Sequence, residues 1–261
     1  MAREQRLVFG EVADVYDRAR PSYPESLVDE VMSSARLVTG DPVLESGCGT
    51  GKATVPFARR ALTMTALEPD PAMASIAQRN CAGFDVSIEI TSFEDWAAPP
   101  GPGFKLVIAA QSWHWVQPAV RLPKAREVLV DDGVLALFWN RPDWPDTALR
   151  HEIDAAYERV APELGARMPG KSRQDVGRRA CVDELIASDL FGEVSATEHA
   201  WDTQYERDAY LQLLDTQSDH RLLDPTARER LFTEVGHAID GAGGTFPVSY
   251  VTDLYVARRA G

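Results

Sequence analysis

Val43-Leu44-Glu45-Ser46-Gly47-Cys48-Gly49-Thr50-Gly51, followed by Glu68 at the end of the next apolar run, is the stretch that decides the fold. Three glycines at every second position follow a short apolar strand and precede a helical pattern. Glycine has no Cβ, so it tolerates positive φ and lets the backbone come close to a ligand. A loop of this kind turns the free N–H groups of a helix N-terminus toward that ligand. A carboxylate 17 residues past the last glycine, Glu68, can then reach a ribose. The pattern predicts a nucleoside-cofactor site.

The spacing favours one cofactor over another. The dinucleotide fingerprint is G-x-G-x-x-G, with a pyrophosphate resting on the helix end. Here the third glycine comes one residue early, and an acid, Glu45, stands two residues before the first. A carboxylate there repels a pyrophosphate but suits an ammonium group. S-adenosylmethionine has an adenosine, no phosphate and a zwitterionic amino-acid tail, so both departures favour it over NAD. A glycine turn with no cofactor is the bland alternative; Glu45 before the loop and Glu68 after it weigh against that.

The segment "VLESGCGTGKAT", Val43–Thr54, resembles motif I of the class I S-adenosylmethionine-dependent methyltransferases. "TALEPDPAM", Thr65–Met73, resembles the post-I motif that follows it, and "SFEDWAAPPGPGFKLVIAAQSWHWV", Ser92–Val116, resembles motif II with the strand after it. "VYDRARPSYP", Val15–Pro24, is similar to the N-terminal signature of small-molecule members, including the branch near trans-aconitate methyltransferases. The resemblance covers about residues 9–140. It implies a Rossmann-like α/β fold: a seven-stranded, mostly parallel sheet whose last two strands form an antiparallel hairpin, with helices on both faces.

At 261 residues the chain can bury a full core in one domain. A net charge of −13 argues against a phosphate-backbone partner, so no nucleic acid is expected. No apolar stretch approaches the 18 residues of a membrane helix, and the start lacks the apolar core of a signal peptide. Cys48, Cys81 and Cys181 are isolated and odd in number, which suggests a reducing cytoplasm, no disulfide framework and no metal site. A monomer or a homodimer fits these data equally.

Short strands alternate with helical patterns: strands near 43–45, 63–67, 86–90, 106–110 and 134–139, with helices between them. That alternation predicts a parallel sheet covered on both faces. Pro56 cannot sit deep in the helix after the glycine loop, so that helix begins near Thr54 or is distorted at its start. Residues 140–146, with two prolines and two aspartates, read as a loop. The division expected is an N-terminal cap over 1–40, a cofactor-binding core over 41–140, helical insertions over 141–192 and 205–243 covering the pocket, and a closing hairpin at 193–204 and 244–261. The insertions follow strands five and six. Residues 165–177 join two of their helices as a polar, basic, Gly-rich loop.

Ligands of open α/β sheets sit at the carboxyl ends of strands, where strand order reverses. Glu45, Gly47, Cys48, Gly49, Thr50 and Gly51 would hold the methionine part, and Glu68 both ribose hydroxyls. Pro69 and Met73 would pack on the adenine, with core packing the alternative for Met73. Family members often carry an acid where Ser92 stands, to receive the adenine amino group; Ser92 departs from that, leaving the Phe93 N–H and a weak Ser92 hydrogen bond. Glu94 is a helix-capping acid or a ligand. Gln111 falls near the methyl-transfer centre. His114 is either a general base or a packing residue beside Trp113 and Trp115, one of which walls the pocket while the other is core. Arg20 is either a bidentate clamp for an acidic acceptor or a pin for the N-terminal segment. Tyr16, Trp139 and Asn140 complete the acceptor side.

Methyl transfer is an in-line displacement at a sulfonium methyl, so the protein chiefly positions the reactants. No triad is needed, and a carboxylate acceptor needs no base at all. The function expected is methyl transfer to a small organic acceptor, at a carboxylate or hydroxyl oxygen. A nicotinamide-dependent oxidoreductase and a non-catalytic cofactor-binding protein are the alternatives.

Overall fold

The computed structural model describes residues 13–143, 145–165 and 176–261. The first twelve residues of the expected cap, and all but the ends of the Gly-rich joining loop, lie outside them. Two helices, α1 (Ala13–Ala19) and α2 (Glu25–Ser34), precede β1 (Pro42–Ser46). The short α3 (Thr54–Ala58) follows the glycine loop. Its Pro56 lies in the first turn, where a missing N–H breaks no helical bond. Next come β2 (Thr63–Leu67), α4 (Pro71–Asn80), β3 (Val86–Glu89), β4 (Phe104–Ala110) and α5 (Pro118–Val128). Asp70 caps α4, its carboxylate accepting from the N–H groups of Ala72 and Met73 at 2.8 and 3.2 Å, and Pro71 opens the helix.

The strands form one seven-stranded sheet in the order β3-β2-β1-β4-β5-β7-β6. The first five strands are parallel, and the last two are antiparallel to their neighbours. Successive side chains of a strand point to opposite faces, and here both faces are covered. Val43, Leu106 and Val134 pack with Leu27, Val31 and Phe57 on one side. Leu44, Val107 and Leu135 pack with Leu122 and Leu185 on the other. Each such side chain, fully removed from water, contributes about 1.5–3 kcal/mol.

The later strands are longer than the sequence pattern predicts. β5 runs over Leu129–Asp143, so Asn140 to Asp143 are strand and not the expected loop. Pro142 is tolerated because β4 ends at the Ala110–Phe138 pair, and beyond it β5 is laddered on β7 alone. Asn140 and Arg141 add side-chain ties: Asn140 accepts from the Thr252 hydroxyl at 2.6 Å, and Arg141 pairs with Asp253 at 3.1 Å. β6 (Phe191–Glu206) and β7 (Thr245–Arg259) form a hairpin ladder along nearly their whole length.

Between β5 and β6 lie α6 (Ala148–Val160), α7 (Pro162–Gly165) and α8 (Val176–Ala187). Between β6 and β7 lie α9 (Arg207–Asp215), α10 (Ser218–Arg221) and α11 (Pro225–Gly241). Ile153, Tyr157, Tyr210, Leu231 and Val235 from these helices share a separate core with Phe246, Val248 and Tyr250 of β7 and with Ala19 of α1. No helix among the described residues is long and apolar enough to cross a membrane.

Candidate cofactor and acceptor site

The reversal of strand order falls between β1 and β4, and a cavity of about 230 Å³ opens there. Its walls come from the carboxyl ends of three strands: Ser46 and Gly47 after β1, Glu68 after β2, and Ala110 and Gln111 at the end of β4. A larger groove of about 700 Å³ lies between α9 and α11 and holds no strand-end residue.

Gly47, Gly49 and Gly51 all have positive φ, at 69°, 58° and 87°. At Gly47 close approach is decisive as well: a Cβ would lie 2.7 Å from the Ser112 Cβ. Ser112 in turn donates to the Ser46 carbonyl, stitching the ends of β4 and β1 together. The loop leans on β2 through Cys48 N–H to the Leu67 carbonyl, 2.9 Å. Gly51 lies against α4, where a Cβ would meet Cys81 Sγ at 3.4 Å and Ala77 Cα at 3.7 Å.

Glu68 is held by the backbone. Gly49 N–H donates to Oε2 at 2.9 Å and Asp70 N–H to Oε1 at 3.0 Å. A carboxylate oxygen can accept more than one hydrogen bond, and Glu68 lines the cavity. Paired hydroxyls such as those of a ribose fit that arrangement. Gln111 has a φ of 57°, unusual for a residue with a Cβ, and its N–H is fixed to the Phe138 carbonyl at 3.0 Å. Strain of this kind collects at functional positions, and Gln111 lines the cavity.

Glu45 lies behind the loop, not on the wall, and is completely buried. Thr54 donates to its Oε2 at 2.7 Å, while its Oε1 has no hydrogen-bond partner. Burial, with the Glu68 charge adding to it and the Thr54 bond opposing, pushes its carboxyl up to about 7. The orphaned oxygen, the glycine cradle and the Glu68 acceptors together fit a nucleoside bearing an ammonium tail.

Of the other expected site residues, Tyr16, Arg20, Pro69, Met73, Phe93 and His114 line the cavity. Several do not. Cys48, Thr50 and Gly51 are buried beneath the loop, with Cys48 packed on Ala66 and Ala77. Ser92 bonds Asp95 at 2.8 Å as a turn residue, and Glu94 accepts from the Gln117 N–H at 3.0 Å. Both are held by polar partners that do not line the cavity. Trp113 is fully buried against Phe93, so the wall residue of the pair is Trp115. Trp139 is also core, its indole N–H directed at His114 Nδ1 at 3.5 Å. Asn140 donates to the Ser22 carbonyl at 3.0 Å and ties strand to N-terminal segment.

Arg20 reaches Thr216 through Nε to Oγ1 at 2.8 Å and Nη2 to the carbonyl at 3.0 Å, and lies over the Tyr16 ring. No carboxylate pairs with it among the described residues. Ser46, Ala110, Ser112 and Val116 line the cavity without having been expected. The strand-end rule that selected Gly47 and Gln111 reaches them too. Thr216 had no signal in the sequence, being 196 residues from Arg20.

Residues 43–133 match the model of a methyltransferase domain. The matched part of the chain is a methyltransferase domain. An uncharacterised methyltransferase of Mycobacterium tuberculosis is 33% identical over 141 residues, 54% of this chain and 55% of that protein. A Saccharomyces cerevisiae protein assigned as an S-adenosylmethionine-dependent methyltransferase is 32% identical over 191 residues, 70% of this chain and 64% of that one. The chain thus spans about half the length of the first of these relatives. A solved type II methyltransferase of Anaeromyxobacter dehalogenans superposes with a TM-score of 0.64 at 24% identity, over 92% of this chain and 97% of that one. At such identity the likeness extends to the fold, with its sheet and closing hairpin.

Proposed function

We propose that the methyltransferase transfers the methyl group of S-adenosylmethionine to an oxygen, carboxylate or hydroxyl, of a small organic acceptor. The observation that carries this reading is Glu68. It stands at the end of β2 beside the strand-order reversal, fixed by the Gly49 and Asp70 N–H groups on the wall of the cavity. The name of the Saccharomyces cerevisiae relative, an S-adenosylmethionine-dependent methyltransferase, supports the same cofactor.

When bound, the sulfonium supplies an activated methyl group and a neutral leaving thioether. The protein's own tasks are binding, orientation and exclusion of water. Glu68 would take the ribose hydroxyls, and Pro69, Met73 and Phe93 the adenine. Gly47 and Gly49 allow backbone contact, and Glu45 sets a negative charge behind the loop once ionised. Arg20, engaged by Thr216 and with no carboxylate paired to it among the described residues, supports an acidic acceptor. Good positioning of two reactants lowers a barrier by on the order of 7–11 kcal/mol.

Calorimetric titration with S-adenosylmethionine, S-adenosylhomocysteine and NAD, on the parent and on Glu68→Ala, tests the cofactor. Micromolar binding of the two sulfur nucleosides, weakened at least tenfold in the variant, is expected. Binding of NAD alone would replace this reading with a nicotinamide oxidoreductase. Cofactor binding without turnover of any acid, phenol or amine would favour the non-catalytic alternative.

A further inference from the structure

His114 and Trp139 form a pair whose chemistry the fold alone does not require. Trp139 belongs to β5 and is 5% exposed, so its indole N–H has to find an acceptor inside the protein. The one it meets is His114 Nδ1, at 3.5 Å. An indole nitrogen only donates. A proton on Nδ1 would therefore set two donors against each other, and the contact selects the tautomer with bare Nδ1 and protonated Nε2. His114 lines the cavity together with Arg20 and Gln111. The ring is further fixed by Trp115, 4.7 Å between centroids, and by Gly177 of α8, where a Cβ would come within 3.4 Å of the His114 Cβ.

Resting on the methyl-transfer reading above, we infer that Trp139 holds His114 as a hydrogen-bond donor. Its Nε2–H binds an acceptor oxygen that has no proton to lose, and His114 does not act as a general base. A base must present a bare nitrogen to the acceptor, and the bare nitrogen here faces Trp139. Burial, reinforced by the Arg121 charge, holds the imidazole down to about 4, so the ring is neutral at pH 7. Arg20 supplies a cation on the same cavity, with no carboxylate paired to it among the described residues, which suits an anionic oxygen. In the step itself the acceptor's carboxylate oxygen bonds to the methyl carbon while the carbon–sulfur bond breaks. The bonding pair stays on sulfur, an ester and a neutral thioether leave, and no proton moves. His114 thus binds one oxygen and orients the other; Trp139 is a positioning residue acting through it.

The tautomer is measurable without turnover. Histidine-selective nitrogen-15 labelling of the whole protein saturated with S-adenosylhomocysteine, assigned by the signal missing in His114→Gln, reports which nitrogen carries the proton. A single Nε2–H form, turning into a mixture in Trp139→Phe, is expected. An Nδ1–H form in the parent overturns the inference. Turnover is then compared for trans-aconitate, benzoate and phenylacetate against phenol and aniline. With a turned-over acid, His114→Ala should raise KM roughly ten- to a hundredfold, the range of one hydrogen bond to a charged group, with kcat within a few-fold. His114→Gln, which keeps an N–H donor but cannot act as a base, should restore most of the loss. Collapse of kcat in the Gln variant, or turnover of phenol and aniline only, overturns the donor role. Failure of S-adenosylhomocysteine to bind would remove the methyl-transfer reading, while the tautomer, measured then on the free protein, still decides the pairing.

Discussion

Glu45 shows how a single buried carboxyl can make the protein weakest where its ligand is needed. Its folded-state value, about 7, lies above the ordinary 4.5 because burial disfavours the charge. A raised carboxyl means the folded chain holds a proton that the unfolded chain has released. Stability therefore falls as pH rises from about 4.5 through about 7, and the loss levels off above that. The shift corresponds to about 3 kcal/mol. His114 and His220, both held down to about 4 by burial, act the other way and add stability as pH rises toward 6.5, so the Glu45 contribution is read as the difference between parent and Glu45→Gln, which keeps the Thr54 contact and removes the titration. Between pH 5 and 8 the urea midpoint of the parent should fall relative to that of the variant. An equal slope in both proteins would assign the pH dependence to other groups. The sign is opposite to that of a surface carboxylate in an ion pair, so a wrong attribution would be visible. Gly47 makes a second residue-scale test. Its φ of 69° and the 2.7 Å approach of Ser112 Cβ leave no room for a methyl group. Left-handed backbone alone costs a residue with a Cβ about 1–2 kcal/mol. Gly47→Ala should lose about 2–4 kcal/mol in denaturant titration, with S-adenosylhomocysteine binding lost as the β1–β4 stitch opens. Gly40→Ala supplies the contrast. Its φ is also positive, 82°, but nothing lies within 4 Å of its Cβ position. It should show the backbone cost without loss of binding.

At the scale of elements, what the sequence made legible follows from where the information is local. The five parallel strands are short apolar runs punctuated by glycine, proline and aspartate, and each lies within a few residues of its expected place. The acid after β2 and the glycines after β1 were legible because strand ends near a reversal are where ligands bind. The antiparallel arm was not. Asn140, Arg141 and Pro142 are polar or loop-like on any local scale, and they are strand because Thr252 and Asp253, more than a hundred residues on, receive them. Trp113 and Trp139 were misplaced for a related reason: an aromatic residue next to a strand end reads the same whether it faces the cavity or the core. Burial decides between them, and burial is set by α5 and α8, whose positions a local pattern does not give. The arm carries a test of its own. Arg141→Ala removes one ion-pair partner of buried Asp253 and should destabilise by about 1–3 kcal/mol. Cofactor affinity should be unchanged, because β5 beyond Phe138 contributes no residue to the cavity wall. A large loss of affinity in Arg141→Ala would mean that the arm and the cavity are coupled.

Across the whole molecule, the N-terminal segment meets the helices between β6 and β7: Ala19 packs in one core with Tyr210 and Leu213, and Arg20, which lines the cavity, adds a polar tie. Arg20 follows α1, Thr216 follows α9, and their two hydrogen bonds close a loop of nearly two hundred residues. Asp17 of α1 also accepts from Asn80, whose amide donates to the Thr50 carbonyl in the glycine loop, both at 2.9 Å. The cofactor loop, α1 and α9 are thus connected by polar contacts, beside the apolar packing of Ala19 against α9. Occupancy at a hundred times Kd stabilises a folded protein by about 2.7 kcal/mol, and that energy should be distributed along this chain of contacts. Hydrogen exchange in the presence of S-adenosylhomocysteine should therefore slow at residues 47–51, as for any cofactor loop, and also at 13–19 and 207–215. Arg20→Ala separates the two effects. Protection at 47–51 should persist, since Gly49 and Glu68 are untouched, and protection at 207–215 should disappear. If 207–215 remains protected in the variant, the insertion helices are held by their own core of Tyr157, Tyr210 and Leu231, and Arg20 is free to serve the acceptor alone.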